Sequence, residues 1–100
     1  MKLGSVVGMV VSTVKDQGLQ GLKLLVVEDC DPGGRGAGSR YVAVDAVGAG
    51  MGEMVLTAAG SSARQTTLTA NRPVDSVIMA IVEIVEVAGE VVYRKGEGPE

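Results

Sequence analysis

The chain has no histidine, tryptophan or phenylalanine, and only one cysteine, two tyrosines and three prolines in 100 residues. Without histidine there is no imidazole for acid–base work and none of the commonest metal ligand. Cys30 stands alone, which excludes a disulfide within the chain and fits a reducing compartment. It also lacks the histidine partner that thiol catalysis uses. Two tyrosines and a net charge of −3 supply neither the stacking platform nor the basic groove of a nucleic-acid binder. Gly4 and Gly8 have the GxxxG spacing of membrane helices, but no apolar run of about 20 residues holds them. The start Met1–Val7 has no small-x-small cleavage site after it before charge returns at Lys15. A cytoplasmic chain that needs neither a membrane nor a nucleic acid is the expectation.

What is abundant is Val, with Ile and Leu beside it, and glycine. The apolar share is 46% and there are 15 glycines. β-Branched residues favour strands, and glycines set between apolar runs mark tight turns. One domain is expected at this length, burying roughly 60–70% of its unfolded surface. The pattern predicts strands over Leu3–Val14, Leu22–Glu28, Tyr41–Asp45, Met54–Ala58 and Val77–Val87, the last with a helix as its alternative because Glu83 and Glu86 would share a face, then a short strand over Val91–Arg94. A glycine-rich mobile hairpin tip is expected at Asp31–Gly38, and at most one helical turn in Gln65–Asn71. A single barrel domain over 1–95 with a flexible tail over 96–100 follows.

The segments that invite a chemical reading resolve into turns. Gly34-x-Gly36 runs on to Ser39, and Gly48-x-Gly50 runs on to Glu53. Neither opens a helix, and no Gly-Lys-Ser/Thr exists to cradle a phosphate. Asp45, Glu53 and Asp75 lie beside apolar runs, where carboxylates cap turns or accept backbone N–H groups. Gly48, Gly50, Gly52 and Gly60 give the backbone access to positive φ. Arg72-Pro73-Val74-Asp75 stops whatever precedes it, because proline disfavours a helical residue before it. No catalytic residue, cofactor site or metal site is expected.

Several of these strands are apolar on both faces. A small closed barrel has only one inside, so the other face calls for a partner and the chain is expected to self-associate.

Three blocks then carry a family resemblance. Ala43-Val44-Asp45-Ala46-Val47-Gly48-Ala49-Gly50-Met51-Gly52-Glu53 with Gly60-Ser61-Ser62-Ala63-Arg64-Gln65 resembles the central signature of the bacterial microcompartment vertex proteins, the EutN/CcmL family. Arg72-Pro73-Val74-Asp75 with the strand after it is similar to that family's second signature, and Val7–Thr13 with Gly21–Val27 to its first hairpin. The resemblance implies an all-β fold: a small five-stranded barrel of the oligonucleotide-binding type with a short C-terminal hairpin. It implies a homopentamer, not an enzyme, that caps the five-fold vertices of a polyhedral shell beside hexameric and trimeric shell proteins. Ser61 and Ser62 are then expected to line an axial opening, with Arg64 at the contact between subunits. The alternative from the residues alone is an oligomeric barrel that binds a small ligand or nucleic acid. Basic residues such as Lys15, Arg35 or Arg40 are expected to relieve the acidic edge of the ring.

Overall fold

A computed structural model of the chain describes residues 1–13, 21–60, 63 and 75–96. Its strands are β1 (Lys2–Met9), β2 (Leu24–Cys30), β3 (Gly36–Asp45), β4 (Met54–Ala59), β5 (Ser76–Ile81), β6 (Ile84–Val87) and β7 (Glu90–Arg94). The first five close a barrel in the order β1-β2-β3-β5-β4, while β6 and β7 form a separate two-stranded ribbon. β3 and β5 run parallel and every other pair in the barrel is antiparallel. This is an all-β, oligonucleotide-binding-type barrel, with no α-helix among the described residues. The possible helical turn at Gln65–Asn71 lies outside them.

Alternation along the strands sorts side chains to two faces. Val6, Leu25, Val27, Ala43, Val55 and Ile78 fill the barrel. Val44 and Val77, one residue out of step with Ala43 and Ile78, form a second cluster with Ala58 and Ala63 on the outer face of β3, β5 and β4. There the chain covers its own second apolar face, through the fully buried Ala63. The expectation that a neighbour covers every such face is therefore too broad, since a single barrel with a returning segment has a partial second layer.

The larger differences from the strands read in the sequence lie at three places. β1 ends at Met9 rather than Val14, with Val10–Thr13 outside regular structure. β3 begins at Gly36, five residues before Tyr41. Its glycine-rich arm is held by Glu28 on β2, whose carboxylate accepts the Gly38 N–H at 3.2 Å and the Arg40 Nε–H at 2.9 Å. The residues read as a mobile tip contract to a loop closed by Asp31, whose Oδ1 accepts the N–H groups of Gly33 and Arg35, both at 2.9 Å. Finally, the long run Val77–Val87 is two strands. After Ile81, Val82 donates its N–H to Met54 O at 2.8 Å, and the chain leaves the barrel for the ribbon. Unbroken β-branched sequence carries no mark of that change of partner.

The ribbon's turn, Ala88–Gly89, has φ of 52° and 84°, the left-handed pair that a two-residue hairpin requires. Its inward side chain, the buried Tyr93, lies over Gly34.

β1 and β2 approach closely at Gly4. A Cβ there would collide with Val27 Cγ1 and sit 3.1 Å from Glu28 O, whereas one at Gly8 would stand 3.5 Å from Val26. Gly4→Ala is expected to cost about 1–3 kcal/mol through overpacking, lowering the melting temperature by roughly 4–8 °C per kcal/mol. Gly8→Ala is expected to melt close to the parent. Equal melting of the two variants would contradict this packing.

Candidate functional site

The corner between β3 and β4 is built on Asp45. This residue ends β3, is 7% exposed, and through Oδ1 accepts the N–H groups of Val47, Gly48 and Ala49 at 3.0, 3.0 and 3.1 Å. Its Oδ2 lies 3.8 Å from Lys23 Nζ. Three donors on one oxygen wind the chain into a tight turn, and Gly48 supplies the left-handed residue it needs, with φ of 78°. The turn drives Ala49 into the barrel core beside Val6 and Val55. The chain then meets β1: Gly52, φ 83°, donates to Val6 O at 2.8 Å, and Val6 donates to Glu53 O at 3.0 Å. Gly50 has no positive φ; its N–H donates to Glu53 Oε1 at 2.6 Å.

Glu53 also ties this corner to the ribbon. Its Oε2 lies 3.1 Å from Lys95 Nζ, just past β7, and that ammonium is 3.5 Å from Glu83 Oε2. The Gly50 N–H and then Lys95 hold the Glu53 carboxyl below the usual carboxylate range, and Glu53 raises Lys95 in turn. Sequence reasoning missed this link, because nothing local connects residues 53 and 95. Glu28 is lowered similarly, first by the hydrogen bond from Arg40 and then by the Gly38 N–H. Burial pushes the Cys30 thiol up, away from the thiolate that reactivity needs.

The segment expected at the axis is described only at Gly60, Ala63 and Asp75. Gly60, φ 63°, donates its N–H to Asp75 O at 2.8 Å, and Ala63 is buried. The residues expected at the opening and contact, Ser61, Ser62 and Arg64, lie outside the described residues, as do Arg72 and Pro73. Of the basic residues expected at the ring's edge, Lys15 lies outside as well and Arg40 is paired with Glu28 inside its own chain. Asp45, Glu53 and Asp75 thus sit at joints of the backbone and of the ribbon; their carboxylate or carbonyl oxygens are engaged by N–H or ammonium groups.

Comparison with known proteins gives this barrel a family. The model of the family described as "Ethanolamine utilisation protein EutN/carboxysome" matches residues 1–83. The bacterial microcompartment shell vertex protein EutN of Escherichia coli K12 is 46% identical over 95 residues, which are 95% of this chain and 100% of that protein. The structure of CcmL from Gloeobacter violaceus superposes with a TM-score of 0.91 at 39% identity, covering 97% of this chain and 100% of that one. The pentameric microcompartment shell protein GrpN from Rhodospirillum rubrum superposes at 0.79 with 46% identity, over 87% of this chain and 99% of its own. The chain belongs to the EutN/CcmL family.

Removing the Asp45 acceptor leaves three N–H groups to a corner that is partly buried. Asp45→Ala is expected to cost about 2–4 kcal/mol, and Asp45→Asn less, since an amide oxygen still accepts. Gly48→Val and Gly52→Val are expected to cost about 1–3 kcal/mol each through left-handed strain, and Gly50→Val less than either. Denaturant titration checks the order, and an alanine at 45 as stable as the parent would contradict it.

The lowered carboxylates fix the sign of the acid response. A group whose folded pKa is depressed stabilises the fold above its unfolded value, and that stabilisation is lost as pH falls through the folded one. Melting temperature is expected to hold at neutral pH and to fall below about pH 4. Glu53→Gln should make that acid limb shallower. An acid limb as steep as the parent's would show that the Glu53–Lys95 link does not contribute.

Proposed function

We infer that the chain is a structural shell protein that forms a homopentamer and caps the five-fold vertices of a polyhedral bacterial microcompartment in the cytoplasm. The observation that carries this is full-length similarity to shell vertex proteins, together with the pentameric state of GrpN. The geometry supports it in physical terms. A flat layer of hexagonal units closes into a shell only if pentagonal units are placed among them. A barrel whose Asp45 and Glu53 carboxylates serve its own turn and ribbon is suited to that role.

In this reading the ring docks beside hexameric and trimeric shell proteins. The axis is lined by the segment between Gly60 and Ala63, with Ser61 and Ser62 facing the opening. Small side chains permit five copies of one loop to crowd about a point, and hydroxyls there can hold water or a small anion. Arg64 sits further out and bonds a carboxylate or carbonyl of the adjacent subunit. Support comes from the small-residue run itself and from its anchoring at Gly60 to Asp75.

Native mass spectrometry is expected to give a species of five times the 10.2 kDa chain mass. Co-expression with hexameric shell proteins is expected to yield closed shells, and omission of this chain to leave shells open at their vertices. A monomer at every concentration, or closed and capped shells formed without it, would overturn the assignment.

A further inference from the structure

The ribbon is a second structural unit that shares no strand pairing with the barrel among the described residues. β6 and β7 pair only with each other. From Ile84 to Arg94 only Tyr93 is buried; Val85 is half-buried and the other residues are exposed. A two-stranded hairpin on its own is at best marginally stable in water. The order of this one therefore depends on what fastens it to the barrel, and elements with so few buried contacts are the ones that open first.

The fastening contacts lie at its base. Val82 donates its N–H to Met54 O at 2.8 Å, where the chain leaves β5. The Tyr93 ring rests on the loop after β2: a Cβ at Gly34 would stand 3.5 Å from Tyr93 Cδ2 and 3.4 Å from Met54 Cε. Lys95 Nζ lies 3.1 Å from Glu53 Oε2 and 3.5 Å from Glu83 Oε2. The Lys95 N–H adds a rung to the ribbon itself, donating to Glu83 O at 2.8 Å. Lys95 thus joins the segment entering the ribbon to the segment leaving it, and ties both to the glycine corner through Glu53. A groove of about 510 Å³, lined by Val7, Met51, Glu53, Tyr93 and Lys95, separates the ribbon's base from β1. The ribbon is therefore not packed along β1 and has room to move.

We propose that the ribbon is a strap that lifts from the barrel as a unit while the barrel stays closed, and that the Glu53–Lys95–Glu83 ion link is the latch that holds it down. The device lies within one chain, so it stands apart from the shell-protein reading and from the state of assembly. Barrel and ribbon differ in what holds them. Each barrel strand is bonded to two neighbours around a buried aliphatic core, whereas the ribbon's ladder is internal and can leave with the ribbon intact. The latch is ionic and within reach of solvent, with the Lys95 side chain 39% exposed and that of Glu53 22% exposed. Such a link is weak enough to open and is screened by salt, unlike the burial of Tyr93. Ionic strength therefore sets how often the strap lifts.

Hydrogen–deuterium exchange read by mass spectrometry, on the full chain in its native assembly, tests this. At neutral pH the amides of β6 and β7 are expected to exchange at least about tenfold faster than those of β2 and β4. Lys95→Met is expected to speed the ribbon by a further factor of about three to ten and to leave β2 and β4 at the parent's rates. Lys23→Met, which removes an ammonium from the far side of the corner, is expected to leave the ribbon at the parent's rate. Raising the ionic strength from about 0.01 M to about 1 M shortens the screening length from roughly 30 Å to roughly 3 Å. That change should speed the parent's ribbon relative to β2 and leave the ratio flat in Lys95→Met, a response that a merely space-filling Lys95 would not give. A ribbon as protected as β2 would overturn the proposal. So would a Lys95→Met chain in which ribbon and barrel speed up together, or one with the parent's salt response. Should Lys95→Met lose its β spectrum, Glu53→Gln decides the same comparison, because its amide oxygen still accepts the Gly50 N–H while the charge is gone.

Discussion

One carboxylate oxygen, Asp45 Oδ1, gathers three consecutive backbone N–H groups, and the rest of the molecule depends on the corner it winds. β3 and β4 are not neighbours in the barrel, so the chain between them must cross from one to the other. It does so in eight residues, carrying Ala49 into the core and bonding Gly52 and Glu53 to Val6. Glu53 then reaches Lys95. The corner therefore sets the closure of the barrel and the seat of the ribbon together.

The composition explains why such a corner is needed. With no Phe or Trp to fill space, the core is made mostly of Val, Ile, Leu, Met and Ala, and it packs only if strands come close. Gly4 permits one such approach at Val27. A barrel this narrow has little interior and much apolar exterior. Part of that exterior is covered by the chain's own Ala63, and part remains open on β1 and the ribbon. A small aliphatic barrel buries little of its apolar surface, and self-association is one way to cover the remainder.

Much of this was legible in the sequence. Alternating β-branched runs placed β2 and β4 within two residues of their observed bounds, and the glycine spacing at 48–52 marked the corner. What was not legible depended on partners distant in sequence. The glycine arm before Tyr41 reads as a loose loop, and it becomes strand because Glu28 holds Gly38 and Arg40. The run Val77–Val87 reads as one strand, and it divides because Met54 O takes the Val82 N–H and turns the chain outward. Glu53 reads as a turn carboxylate, and its ion pair with Lys95 has no local signal. The family resemblance rested on ordered blocks along nearly the whole chain, which is why it reached function where spacing alone reached only turns.

The central claim is that the chain assembles with copies of itself into the five-fold ring of a shell vertex. Its most direct test is a cryo-electron microscopy map of the isolated assembly at side-chain resolution. The account predicts a closed five-fold ring of this chain, built from the barrel described above. A monomer, or a ring of another order, would contradict it.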